Sequence, residues 1–220
     1  MTKLRMLYRY VRKAFEAWAV ISQELGWEKS FLSGRPVDGK GEPIPWYTYP
    51  AIEFLKSLDL SKSRVFEYGC GNSSIFWAKR TRAVFAVENN AEWAHIVRDL
   101  NVPGLTVIEA VDRDTYIGAV EAAGGEFDVV VVDGRFRRAC VQVASKVVRE
   151  GGMIVFDNAD WYPDACDDLR RKGWFQVDFS GLGPINPYAW TTAVFLKTPA
   201  VFQRLPDVFP VGGNRQGRYV

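Results

Sequence analysis

Apolar side chains at Leu4, Leu7, Tyr8, Val11, Phe15, Trp18 and Ala19 recur at three- and four-residue intervals, which predicts a helix over 3–25. Five basic residues stand between them. Such a helix docks on its own domain or on a partner subunit, or it lies in a membrane interface. Residues 33–50, SGRPVDGKGEPIPWYTYP, are broken by Pro and Gly and predict a loop. AIEFLKSL then predicts a short helix leading into the first strand. From there a regular alternation sets in. Short apolar runs predict strands at 64–68, 83–88, 104–109, 127–133 and 152–157, and amphipathic stretches predict helices at 73–80, 90–100, 113–123, 136–149 and 161–171. FDVVVVD and GGMIVFD are apolar without alternation, as strands covered on both faces are.

Five βα units in a row predict an α/β fold: a Rossmann-like, doubly wound, mostly parallel sheet. The chain ends differently. WFQVDFS and WTTAVFLK flank the Gly/Pro loop GLGPINPYA with no helix between them, so they predict an antiparallel pair that completes seven strands. The expected organisation is a helix and covering loop over 1–50, the sheet domain over 51–200 and a tail over 201–220.

Composition narrows the partners. The 220 residues are 48% hydrophobic and 25% charged with a net charge of +2, too even a balance for a nucleic-acid face. Three cysteines, Cys70, Cys140 and Cys166, have neither zinc-site spacing nor the even count of a disulfide framework. The opening residues interrupt their apolar positions with Lys and Arg, unlike a secretion signal, and no uncharged apolar run reaches membrane-spanning length. A cytoplasmic protein is expected.

Candidate chemistry starts at the first strand-to-helix turn, Glu67-Tyr68-Gly69-Cys70-Gly71-Asn72. Gly69 and Gly71 let the backbone approach a ligand at the start of the next helix. A dinucleotide fingerprint requires a third glycine where this chain has Ser74. Glu67 would repel a pyrophosphate and attract a cationic ammonium or sulfonium group. Glu88 ends the second strand, 17 residues after Gly71, where a carboxylate accepts both hydroxyls of a ribose. The alternative is that both acids only cap helices or pair with arginines.

FEYGCG, VFAVEN, FDVVVVDG, GGMIVFDN and the terminal strand pair resemble the class I S-adenosylmethionine-dependent methyltransferases over roughly residues 62–197. The resemblance implies that Glu67, Gly69, Gly71, Asn72 and Ser73 hold the methionine part of the cofactor, and that Glu88 and Asn89 hold its ribose. It places Ala110 and Val111 against adenine. Tyr47 and Thr48, in the segment before the first strand, would close over the methionine end.

Asp133 and Asp157 end neighbouring strands, about 4.8 Å apart. With Asn158 they bring three oxygen donors to one sheet edge, and a carboxylate pair this close needs a counter-ion. Mg²⁺ or Mn²⁺ suits such donors and would also lower the pKa of an acceptor hydroxyl. The alternative is neutralisation by Arg135, Arg137 or Arg138. The set resembles metal-dependent O-methyltransferases of the catechol and caffeoyl-CoA type, with a departure: their lysine base is replaced by Phe136. His95, the only histidine, falls in a helix on the ribose side, so Asp133, Asp157 or Asp160 is expected to serve as base.

Loop aromatics supply stacking faces for a sugar or phenol: Trp46, Tyr47, Tyr49, Trp161, Tyr162, Tyr188 and Trp190. Arg135 and Arg137 suit an anionic acceptor. VDGRFRRAC and FDNADWY resemble methyltransferases found among polysaccharide-modifying proteins, which implies O-methylation of a sugar, a glycan or a related small molecule. A homodimer, or association with a glycosyltransferase, completes the partner expectations. Two rival readings fit less well. A nicotinamide oxidoreductase lacks its third glycine, and a base-flipping nucleic-acid enzyme lacks its NPPY-type motif, where DGRF stands.

Overall fold

A computed structural model of the chain describes residues 3–197; the predicted tail, 201–220, lies outside the described residues. The predicted sheet is present. Its strands are β1 (Arg64–Tyr68), β2 (Ala83–Glu88), β3 (Leu105–Glu109), β4 (Phe127–Val132), β5 (Val148–Phe156), β6 (Phe175–Gly181) and β7 (Trp190–Leu196), in the order β3-β2-β1-β4-β5-β7-β6. β1 to β5 are mutually parallel, and β7 inserts antiparallel between β5 and β6.

Period-two geometry sends alternate side chains to opposite faces, and both faces are covered. Phe66, Val130, Ile154 and Phe156 pack on one side, and Val65, Val129, Val131 and Val155 on the other. All six β4 residues are buried, which explains the unbroken apolar run. The crossover helices are α4 (Asn72–Ala78), α5 (Ala91–Asp99), α6 (Arg113–Ala122) and α7 (Arg137–Val147); α8 (Pro163–Arg171) follows β5.

The amino-terminal region departs from the single predicted helix over 3–25. α1 (Lys3–Ala19) passes into a π-helical turn, Val20–Glu24, and stops at Gly26. Gly26 has φ 85°, and a Cβ there would lie 2.3 Å from the backbone of Asp38, so only glycine fits. The seven-residue α2 (Trp27–Ser33) follows, then the Pro/Gly loop and α3 (Tyr49–Lys56). Among the described residues no helix is long and apolar enough to cross a membrane.

Candidate functional site

Parallel strands end together, so acids that close strands gather at one edge of the sheet. β1 pairs with both β2 and β4, and β4 with β5. Glu67, Glu88, Asp133 and Asp157 therefore sit at or just past the ends of four adjacent strands. Two cavities open there. One, ≈ 380 Å³, is lined by Glu67, Tyr68, Gly69, Cys70, Ser73, Glu88, Asn89, Tyr116, Asp133, Gly134 and Arg135. The other, ≈ 250 Å³, is lined by Trp46, Asp133, Arg137, Asp157, Asn158, Trp161, Asn186, Tyr188 and Trp190. They share Asp133 alone.

In the first cavity Glu67 is buried, and burial pushes its carboxyl up to about 7 despite the bond donated by Ser74 Oγ. Its Oε1, the Tyr47 hydroxyl and the Trp77 indole nitrogen converge on the same region without a hydrogen bond of good geometry, although Ser73 and Tyr47 lie near enough to offset part of the burial. A buried carboxylate oxygen without a donor lowers its free energy beside a cation. The Glu88 carboxylate accepts backbone N–H bonds from Cys70 (3.2 Å), Asn89 (2.9 Å) and Asn90 (2.9 Å), which fixes the glycine turn against the start of α5. It thus does part of the capping that the sequence left open, while still lining the cavity.

The turn itself demands glycine. Gly69 has φ 101°, and the nearest atom to a Cβ there would be Gly134 Cα at 3.4 Å. At Gly134 a Cβ would meet the Tyr116 hydroxyl at 2.1 Å and Gly69 N at 2.9 Å. Asn72, expected to touch cofactor, instead donates Nδ2 to the Pro36 carbonyl at 2.7 Å and anchors the preceding loop. Tyr47 is buried facing Glu67. Thr48 is buried with its hydroxyl donating to Phe179 O and its N–H to Thr192 Oγ1, so it anchors the segment rather than lining the cavity. Ala110 is buried and Val111 is exposed at 66%; neither lines the described cavity.

The second cavity corrects the metal expectation. Arg137 fills the space between the donors assigned to Mg²⁺ or Mn²⁺. Its Nη2 donates to Asp133 Oδ1 at 3.0 Å, and its Nη1 to Asn158 Oδ1 at 2.7 Å and to the Asp157 carbonyl at 2.6 Å. Asp157 Oδ1 already accepts from the Thr192 hydroxyl (2.6 Å) and the Trp190 indole (3.0 Å). Among the described residues no cluster of three or more His, Cys, Asp or Glu is placed to hold a metal. The donor set does not fit a divalent cation; of the three arginines considered, Arg137 is the counter-ion.

One guanidinium serves two carboxylates. Burial, then Asp157, holds the Asp133 carboxyl well above the ordinary range against the pull of Arg137. Burial pushes Asp157 up to about 6 against the bond from Thr192 and the nearby charge of Arg137. Local geometry aims these groups: Phe136 (φ 55°) and Asn158 (φ 53°) adopt the left-handed conformation where the chain leaves β4 and β5. The Phe136 ring packs on Tyr116 at 5.8 Å, so the position of the expected lysine base carries a strut.

Other expected residues lie elsewhere. Asp160 is exposed and accepts the Thr191 N–H at 3.0 Å, a tie to β7. Arg135 lines the first cavity, not the second. Tyr162 packs on Phe156 and under Arg138, outside both cavities. His95 is exposed beside Glu109 and Arg98. Thr192, Tyr116 and Gly134 escaped the sequence reading, because nothing within a few residues of each marks the contacts it makes.

No family model matches the chain, and no curated protein does. Solved structures do. One is a protein of Streptococcus mutans described as a candidate methyltransferase, in complex with SAH: 12% identity, 66% of this chain and 94% of that chain, TM-score 0.50. Another is the precorrin-6y C5,15-methyltransferase of Geobacter metallireducens GS-15: 15% identity, 67% and 86%, TM-score 0.53. At such identities the similarity speaks to fold alone: this chain shares the Rossmann-like, mostly parallel sheet of these methyltransferase structures.

Proposed function

We propose that the chain is an S-adenosylmethionine-dependent O-methyltransferase of a small polyhydroxylated acceptor, a sugar or related molecule, working without a metal. The observation that carries the reading is the pair of cavities meeting at Asp133: one is acidic and contains a buried carboxylate oxygen without a donor, and the other is walled by aromatic rings.

The first cavity fits the cofactor. Glu67 would face its cationic end, Glu88 its ribose hydroxyls, and the Gly69–Gly71 turn leaves room for its backbone. When bound, S-adenosylmethionine supplies an electrophilic methyl group. In the second cavity Trp46, Trp161 and Tyr188 offer exposed ring faces, and Asn158 and Arg137 offer polar groups at its floor. Asp133 is the proton acceptor: its Oδ1 is bound by Arg137, and it lines both cavities. Its raised affinity for protons suits it to take one from a hydroxyl in concert with transfer. Thr192 and Trp190 hold Asp157 in place, so Arg137 keeps both carboxylates aligned.

The test is calorimetry with S-adenosylmethionine and SAH, followed by transfer of labelled methyl to glycans, phenols, peptides and RNA in the presence of a chelator. Binding plus chelator-resistant label on a glycan or sugar supports the proposal. No binding, or label confined to protein or RNA, overturns it.

A further inference from the structure

We propose that α1 is an interfacial anchor that lays one face in an anionic lipid surface. No residue of this 17-residue helix is buried; Leu4 and Phe15 are 77% and 67% exposed. Apolar surface of this extent on one element is an interaction face. At about 100° per residue, Leu4, Leu7, Tyr8, Val11, Phe15 and Trp18 fall within an arc of roughly 100°. Arg12 and Arg5 follow along one edge of it, and Arg9 and Lys13 lie on the far face.

Charge selects the occupant. The helix carries five basic residues, Lys3, Arg5, Arg9, Arg12 and Lys13, against one acid. That acid, Glu16, is engaged by Lys13 at 2.7 Å and Arg12 at 3.5 Å. A second copy of the helix would bring the same excess of four positive charges, so pairing two copies gains no charge complementarity, whereas an anionic surface does. An anionic bilayer satisfies both faces at once: rings and aliphatic chains enter the headgroup boundary and arginines meet phosphate. The helix is not long and apolar enough to span. It is also coupled to the site, because Trp18 packs on Trp27 at 5.6 Å and the Trp27 indole donates to the carbonyl of Asn186, a lining residue of the aromatic cavity.

Flotation of the full chain with vesicles tests it, using phosphatidylcholine alone and phosphatidylcholine mixed with about one third phosphatidylglycerol. Binding is expected on the anionic vesicles only, and it should weaken in high salt. Each basic residue at such a surface contributes a factor of roughly five, so Arg5→Gln with Arg12→Gln should weaken binding more than tenfold. Leu7→Glu with Phe15→Glu should abolish it while leaving the melting temperature unchanged, since neither side chain packs. Failure of the wild-type chain to float overturns the proposal, as does equal binding to neutral vesicles or wild-type binding by the Leu7/Phe15 variant. A stable dimer by light scattering that becomes monomeric in that variant also overturns it, in favour of a second copy.

Discussion

Replacing Glu67 with Gln separates what this carboxylate costs the fold from what it does for a ligand. Its carboxyl titrates near 7 in the folded chain against an ordinary 4.5, chiefly through burial. That displacement corresponds to about 3 kcal/mol. Below pH 4.5 folded and unfolded chains both carry the proton, and the group contributes nothing. Between 4.5 and 7 the folded chain keeps a proton that the unfolded chain releases, so stability falls as pH rises; above 7 the full penalty is present. Gln has the same shape, can still accept from Ser74 and carries no charge. Glu67→Gln should therefore match wild type near pH 4 and exceed it by up to about 3 kcal/mol at pH 8, or about 6 °C in melting temperature for a chain of this size. The same change should weaken S-adenosylmethionine at pH 8 by tenfold or more, and remove the rise in affinity expected of the wild type between pH 6 and 8. Denaturant titration of both proteins at several pH values, with calorimetry at the same points, reads both effects. A stability difference that does not vary with pH refutes the burial argument. Unchanged affinity refutes the role of Glu67 facing a cation.

Arg137→Met leaves the buried Asp157 and the partly buried Asp133 without their shared counter-ion and should destabilise by about 3–5 kcal/mol at pH 8, less at pH 5, below the value of about 6 to which burial pushes Asp157; urea unfolding measures it. Activity should survive exhaustive chelation and not rise with added Mg²⁺ or Mn²⁺, and strict cation dependence would reverse the reading of Arg137. Trp161→Ala and Trp46→Ala should raise the acceptor KM several-fold while leaving cofactor affinity unchanged, since both residues line only the second cavity. Gly134→Ala should cost roughly 1–3 kcal/mol or more and weaken cofactor binding, because its methyl would collide with Tyr116 and with the glycine turn. Wild-type melting and affinity in that variant would show that the close approach is dispensable.

The sheet was legible because strands buried on both faces leave local marks: FDVVVV and the run after Gly151 have no polar alternation to mistake for a helix or an edge. Acids at strand ends were legible too, since parallel topology brings Asp133 and Asp157 together wherever the helices run. Which cation neutralises them was not. Three arginines lie within a few residues, and the choice of Arg137 depends on left-handed turns at Asn158, a residue that tolerates them, and at Phe136, whose type gives no sign of one. Thr192 and Trp190 reach Asp157 from more than thirty residues away, across a strand whose direction, not its composition, brings them there. α2 escaped because seven residues between two glycines give too short a run for helical periodicity to register.

The two cavities touch at a single side chain, and each opens on its own. Neither guest need traverse the other's chamber to arrive or depart. A two-substrate reaction in this arrangement has no compulsory sequence of addition, so initial-rate lines should intersect, and each product should inhibit competitively against its own precursor alone.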